Sequence, residues 1–519
     1  MITYLNDPSA VLLKSYPPPF RGTWKTLPPH LLPDDVLQDS LNVTILGGRL
    51  RARLGHKLVQ TTAIAGNVQG SFLTVDVANQ KYPLVATENK VYRLDADTWT
   101  DITGTVGLSP TTQARFTSIQ IGTEVYILMA NGIDEVRYAA SHGNLTSITP
   151  YFPGGSVPVF TDLCTAASRI VGITPPYTVS WCDVLNPIYL SFTSWPTLNQ
   201  VILADTEDAL VAIRPLGTLG YAIYKEGTIY VAQPQTGPQS AAFRFDFRGE
   251  FQGPACPYAI VNWNGTHCYM TPNGRVGVFD GSQHAWVCDG IWPALQTLID
   301  PNYTSSIYGV YNYLTSEITF YFSRVGDNGQ ARGVLIIDTP YPLSGVQDFS
   351  YFLGECNLNL TNGLSVRFYQ AGMQPFVWGP DPVSGLTNTY TLDKQTYQDN
   401  GVDFSCRIKS GIFRASTAMQ QTQIPSRDAN ADQFRPILEP YLSRDNDRGE
   451  LELSAVVSQN LESDGMLAQS EIIDLTNTQY PNEYIGYEVS GSFLGYEMQW
   501  SSSAKAEMKS CDIYGRKAM

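Results

Sequence analysis

Short alternating runs of residues, each cut off by a tight turn, recur along this chain at intervals of roughly 40–50 residues, the period of propeller blades. The stretch 83–102 (PLVATENKVYRLDADTWTDI) breaks at Glu88-Asn89 and again at Asp95–Asp97 before Trp99. A second unit, 123–149, turns at Asn131-Gly132; a third spans 168–192; a fourth, 209–233, turns at Lys225–Gly227. The fifth, 257–287, carries the turns Asn264-Gly265, Asn273-Gly274 and Asp280-Gly281, and the sixth runs over 306–338. A partial seventh at 365–379 could close a ring. Asn-Gly and Asp-Gly supply the positive φ that two-residue hairpin turns need. A unit of three or four strands cannot bury both faces alone, whereas stacking around an axis buries them and leaves only short edges. The units share little sequence, so the repeat is one of architecture. This predicts an all-β fold with a β-propeller over 41–380, its number of blades left open.

Composition agrees. The chain has 30 Tyr, 21 Phe, 9 Trp, 43 Gly and 33 Pro, and only 16% charged residues. Aromatics suit pleated, half-buried surfaces, while Gly and Pro make turns. No long helix is predicted. The net charge is −15. A protein that grips nucleic acid by its phosphates needs a basic stripe, and none is visible. The densest basic stretch, Arg49, Arg51, Arg53 and Lys57, alternates as one strand face would and is expected to be solvated or paired across strands. An acidic balance suits solubility, or a channel wall to which DNA should not stick.

Outside the repeat the pattern changes. Residues 1–40 hold KSYPPPFRGTWKTLPPHLLPDD, whose prolines predict an extended arm. Phe20, Trp24, Leu31 and Leu32 suggest that it lies against its own body or a neighbouring subunit. The segment 41–59 reads as a hairpin about Gly47-Gly48, and the polar stretch 381–403 as a linker. Residues 404–519 alternate with period two and predict a C-terminal β-sandwich-like platform domain, with 416–436 as a loop or strand edge. The start has no signal-peptide pattern, and no 18-residue apolar run predicts a membrane span. The eight cysteines (164, 182, 256, 268, 288, 356, 406 and 511) form no C-x-x-C pair and are expected to be buried thiols. Sequons at Asn42, Asn144, Asn264, Asn302 and Asn359 carry no weight without a secretory route.

No catalytic constellation emerges, and no catalytic, metal-binding or cofactor-binding residue is assigned. There is no G-x-S-x-G elbow, P-loop or G-x-G-x-x-G. The five histidines (30, 56, 142, 267 and 284) form no zinc motif; His267 and Cys268, being adjacent, point to opposite faces of a strand. The acidic run 444–452, with Asp445 and Asp447, lacks the glutamate that completes a calcium loop and reads better as a hairpin turn. Trp99, Trp286 and Trp292 could be sugar platforms, though such residues more often pack blades together.

Three stretches together resemble the tail nozzle (tail tubular protein B-like) family of short-tailed bacteriophages. In 20–59 the resemblance rests on Gly22, Pro28-Pro29, Asn42-Val43, Gly47-Gly48 and Arg53-Leu54-Gly55. In 253–281 it rests on a strand and turn followed by NGRVGVFDG, and in 485–517 on a strand pair ending in Ile513-Tyr514-Gly515. The resemblance implies a propeller with an added platform, six copies forming a ring in the virion tail. It also implies that the ring docks on the tail adaptor, carries tail fibres or spikes, and passes viral DNA through its lumen without sequence recognition. No enzyme activity and no cofactor follow from it. A propeller-type glycan-binding or glycan-degrading tail protein is the alternative.

Overall fold

The computed structural model describes residues 11–517 except 18, 20, 47, 60, 111–112, 141, 152–154, 185–189, 218–219, 237–241, 340–348, 366–373, 394–396, 415–433, 444–449, 459–465, 475–484, 487–492 and 505–506. Phe20, Gly47, Asp445, Asp447 and most of the expected loop 416–436 lie outside the described residues.

Among the described residues, seven four-stranded antiparallel sheets follow one another along the chain, six of them built wholly from consecutive hairpins. Six are continuous in sequence: blades one to six span 70–101, 115–147, 162–202, 210–250, 260–287 and 308–360. Blade seven takes Asn362–Leu364, Phe376–Pro380 and Thr387–Asp393, and its outer strand, Gly55–Leu58, comes from near the other end of the chain. Apolar clusters fill every gap between neighbouring blades. Leu84, Ala86 and Val91 of blade one meet Phe116, Ile127 and Met129 of blade two. The ring closes where Tyr92 and Trp99 of blade one pack on Phe376 and Trp378 of blade seven, the two indoles edge to face at 6.3 Å. Burying one such aromatic contributes roughly 1.5–3 kcal/mol, so each interface rests on a few large side chains. The fold is an all-β propeller with seven blades.

The first strand of each blade lies innermost. In blades one, two and three these are Gly70–Val75, Arg115–Ile121 and Asp162–Ala166. All three fall outside the units expected from the sequence. They carry Ser71, Thr74, Arg115, Thr117 and Asp162 at positions that the ring buries, so their hydrophobic alternation is broken. Neighbouring inner strands approach one another closely: a Cβ on Gly70 would sit 2.1 Å from Ala114 O, and one on Gly363 2.5 Å from Val310 Cγ1.

The remaining strands form two six-stranded sheets packed face to face. One joins Val43–Leu46, Arg49–Ala52, Glu507–Lys517, Phe434–Ser443 and Ile485–Gly486, with Val11–Tyr16 alongside Glu507–Lys517. The other joins Leu37–Leu41, Ser405–Ser410, Phe493–Ser501, Glu450–Ser458 and Met466–Asp474, with Phe413–Arg414 alongside. Val43, Ile45, Leu50 and Ile513 from the first sheet meet Ile408, Leu453, Leu494 and Met498 from the second. The only α-helix among the described residues is Trp292–Leu298.

The domain limits differ from the expected ones in three places. Residues 11–16 and 37–41 are strands of the sandwich, so the segment 1–40 is not wholly an arm; between those strands the described residues form no strand, apart from the single bridge Thr23–Leu37. The hairpin 43–52 belongs to the sandwich and not to the propeller. The expected linker 381–403 contains Thr387–Asp393, an interior strand of blade seven. Its threonines disguised it. Thr389 Oγ1 accepts the Trp99 indole N–H at 3.2 Å, and Thr387 Oγ1 donates to Gly66 O at 2.8 Å, so both hydroxyls are satisfied in the core.

Candidate functional site

Two clusters of buried polar groups stand out. The first lies where sandwich, blade six and blade seven meet. The strand Ser350–Leu360 of blade six alternates across this seam: Phe352 enters the sandwich core, while Tyr351 and Leu353 pack within the propeller. Arg53 is 2% exposed and Asp399 fully buried. Arg53 donates from Nη1 and Nη2 to the two Asp399 oxygens at 3.1 and 2.6 Å, and from Nε to Asn42 Oδ1 at 3.0 Å. It also donates to the carbonyls of Leu54 and Glu355. His56 Nδ1 lies 2.7 Å from Asp399 Oδ1, and His56 Nε2 lies 2.8 Å from Tyr321 Oη. Burial alone would raise the Asp399 carboxyl, but the Arg53 charge and His56 outweigh it and hold it far below the carboxylate range. Burial lowers the His56 pKa despite Asp399. A neutral ring donating from Nδ1 and accepting the Tyr321 hydroxyl satisfies both contacts.

Of the basic row expected to be either solvated or paired across strands, Arg51 and Arg53 are not solvated, being 6% and 2% exposed, and Arg53 is paired with a carboxylate. Alternation is the same for a face turned to water and one turned to a carboxylate 346 residues away.

His56, Cys356 and Asp399 hold their ligand atoms within 4.8 Å of one another. They fit a metal poorly. Both Asp399 oxygens are engaged by Arg53, His56 Nδ1 is spent on Asp399, and burial pushes the Cys356 thiol far up. A dication would have to sit beside a guanidinium.

The second cluster surrounds the propeller axis. A cavity of about 420 Å³ is lined from all seven innermost strands, and the charged side chains on its wall are Arg115, Asp162 and Arg214. Arg214 Nη1 donates to Asp162 Oδ2 at 2.6 Å, while its Nη2 donates to Pro257 O. The Asp162 oxygens also accept from Leu163 N and Ile213 N, both at 2.9 Å. Arg115 lies with its guanidinium carbon 3.5 Å from the centroid of the Tyr258 ring. Tyr258 borders both this cavity and a second one of about 230 Å³. Its hydroxyl donates to Ala114 O and accepts from Ser71 N at 3.0 Å. Arg115, Asp162 and Tyr258 were not singled out in the sequence. The available signal was a lone charge inside an otherwise uncharged strand, as in QARFTSIQI and ALVAIRPLG.

The other groups considered from the sequence lie apart. His267 is fully buried between Tyr224 Oη and Pro215 O, and burial lowers its pKa to about 4. His284 contacts Tyr269 Oη at 2.9 Å; His142 is exposed beside Asp76. Cys268 is buried, as are the other seven cysteines. Trp99 packs between blades one and seven. Trp286 and Trp292 face the Arg275 guanidinium at 4.3 and 5.0 Å, so neither is a bare platform.

No protein-family model matches the chain, and no curated protein matches it. Among solved structures, the chain is similar to BBS1N in complex with ARL6DN (mercury soak) at 11% identity and TM-score 0.39, over 66% of this chain and 99% of that one. It is similar to YCF48 bound to D1 peptide at 12% identity and TM-score 0.38, over 66% and 97%. Overlaps this loose carry nothing about function. No described helix is long and apolar enough to cross a membrane.

Proposed function

We propose that this chain is a structural virion protein, the ring-forming distal nozzle of a short-tailed phage tail. The observation that carries the reading is where the motif residues behind the resemblance fall. Gly22, Asn42, Arg53 and Gly55 converge on the seam between propeller and sandwich. Gly22 has φ +75°, and a Cβ there would sit 2.2 Å from Tyr351 O; a Cβ on Gly55 would sit 2.2 Å from Gln398 O. Asn42, at φ +56°, accepts from Arg53 Nε and Glu355 N and donates to Ser405 O. Four motif residues thus serve one task, fixing a platform rigidly to a propeller. A ring subunit needs this stiffness, because small angular errors accumulate around a closed ring.

In this reading six copies close head to tail, and the sandwich docks on the tail adaptor. Propeller loops face outward toward fibres, spikes or host, and DNA slides through the lumen of the ring past an acidic wall. The chemistry is passive, with no enzymatic step and no cofactor. Electron microscopy of the chain alone and mixed with the adaptor tests it. Six-membered rings are expected, at least on the adaptor. Monomers in both samples, or a glycan-degrading activity lost on replacing one carboxylate, would overturn it.

A further inference from the structure

The cavity of about 230 Å³ beside Tyr258 is walled by residues that lead into the innermost strands of blades one, two, five, six and seven. It therefore lies where those strands begin, at one end of the propeller axis. No charged side chain lines it; its polar groups are carboxamides and hydroxyls. Asn362, the first residue of blade seven, is only 4% exposed. Its Oδ1 accepts from Ser71 Oγ at 2.9 Å, while its Nδ2 has no partner among the described residues. That nitrogen is not one of the sealed orphans of the interior: it keeps open surface, and the cavity is what it faces. On the same wall, the Asn67 and Gln69 side chains also have no partner among the described residues. Asn67 and Ser305 are exposed at the rim, so solvent reaches the space. Nearly buried polar groups seldom stay half used unless water or a ligand meets them.

We propose that this cavity binds an uncharged, polyhydroxylated ring of monosaccharide size. Three features select that class. A carboxamide offers donors and an acceptor side by side, and a hydroxyl, being both donor and acceptor, answers either; three open carboxamides on one wall suit a ring that carries several hydroxyls. A charged ligand would leave water for a wall that holds no opposite charge, which is costly. Val68, Ile307 and Tyr258 supply the apolar part of the lining, as the carbon face of a sugar ring requires. The volume, about 230 Å³, lies under the roughly 300–1,000 Å³ of pockets for drug-sized ligands, so a single ring is the occupant that fits. Ser71 holds Asn362 by its oxygen, so the free N–H₂ is oriented before any ligand arrives. The proposal does not rest on the nozzle reading.

Saturation-transfer NMR on the full chain with glucose, galactose, mannose and N-acetylglucosamine tests it, with glucuronate and adenine as controls. At least one of the four sugars is expected to bind saturably at millimolar concentration, and more tightly than either control. Asn362→Ala should weaken that binding about three- to tenfold, the loss of one neutral hydrogen bond. Asn67→Trp changes an exposed position at the rim, leaves the core untouched, and should abolish binding by filling the space. Absence of binding by all four sugars would overturn the proposal. So would affinity unchanged by Asn67→Trp, or glucuronate or adenine binding as tightly as the best sugar. Ring formation by Asn67→Trp is expected to be normal, so the two proposals fail separately.

Discussion

The seam and the axis use the same chemistry to opposite ends. Each is built on arginine and aspartate inside the protein. At the seam, Arg53 meets five acceptors and a ring: Asp399 twice, Asn42, two carbonyls, and the face of Phe404 at 3.9 Å. At the axis, Arg115 has the face of Tyr258 and an ill-aligned carboxylate. A saturated network joins elements distant in sequence and leaves nothing for a ligand. An unsaturated one is tolerated only where a cavity adjoins it.

The largest effect should come from breaking the saturated pair. Asp399→Ala strands the Arg53 charge in the interior, which typically costs about 3–5 kcal/mol. Urea denaturation should show a midpoint lowered accordingly, and a loss under about 1 kcal/mol would mean that water reaches the seam.

Next comes the backbone at the same place. Gly22→Ala places a methyl group against the Tyr351 carbonyl at a positive φ, and should cost roughly 2–3 kcal/mol. Wild-type stability in that variant would show that the Pro-rich segment can lift away from blade six.

A third test uses pH. Asp338, on a blade-six strand near the seam, has its pKa raised to about 7 by burial first and by Glu317 second. Glu317 itself accepts from Thr44 of the sandwich at 2.6 Å. The folded state therefore holds a proton that the unfolded chain, near 3.8, has released. Stability from this group is complete below 3.8 and is lost as pH rises through about 7. Asp338→Asn should be more stable than wild type above that pH, by an amount on the order of 2 kcal/mol, and equal to it in acid. Parallel stability–pH curves for the two proteins would break the assignment.

The smallest effect should be at the axis. Arg115→Met removes donors that have no partner and should change stability by about 1 kcal/mol or less, in either direction. Arg53→Met, at the seam, should cost several times more. Equal losses in thermal melts would erase the distinction between the two sites.

Much of this was legible beforehand, and unevenly. Blade five could be read whole, because all four of its strands sit between Asn-Gly and Asp-Gly turns. Blades one to three could be read only in their outer strands, since the inner ones carry polar side chains toward the axis and lose their alternation. Arg53 could be seen as part of a basic row, but its partner, Asp399, lay in a stretch that looked like linker.

The sequence by itself determined the local plan: turn chemistry and period-two patterning decide where the chain forms hairpins and which class of fold stacks them. Tertiary structure alone decided that the ring has seven blades, that Gly55–Leu58 closes it, and that both ends of the chain weave one sandwich. Those are pairings across more than 300 residues. A strand's pattern records which of its faces is buried and carries no mark of the partner that buries it.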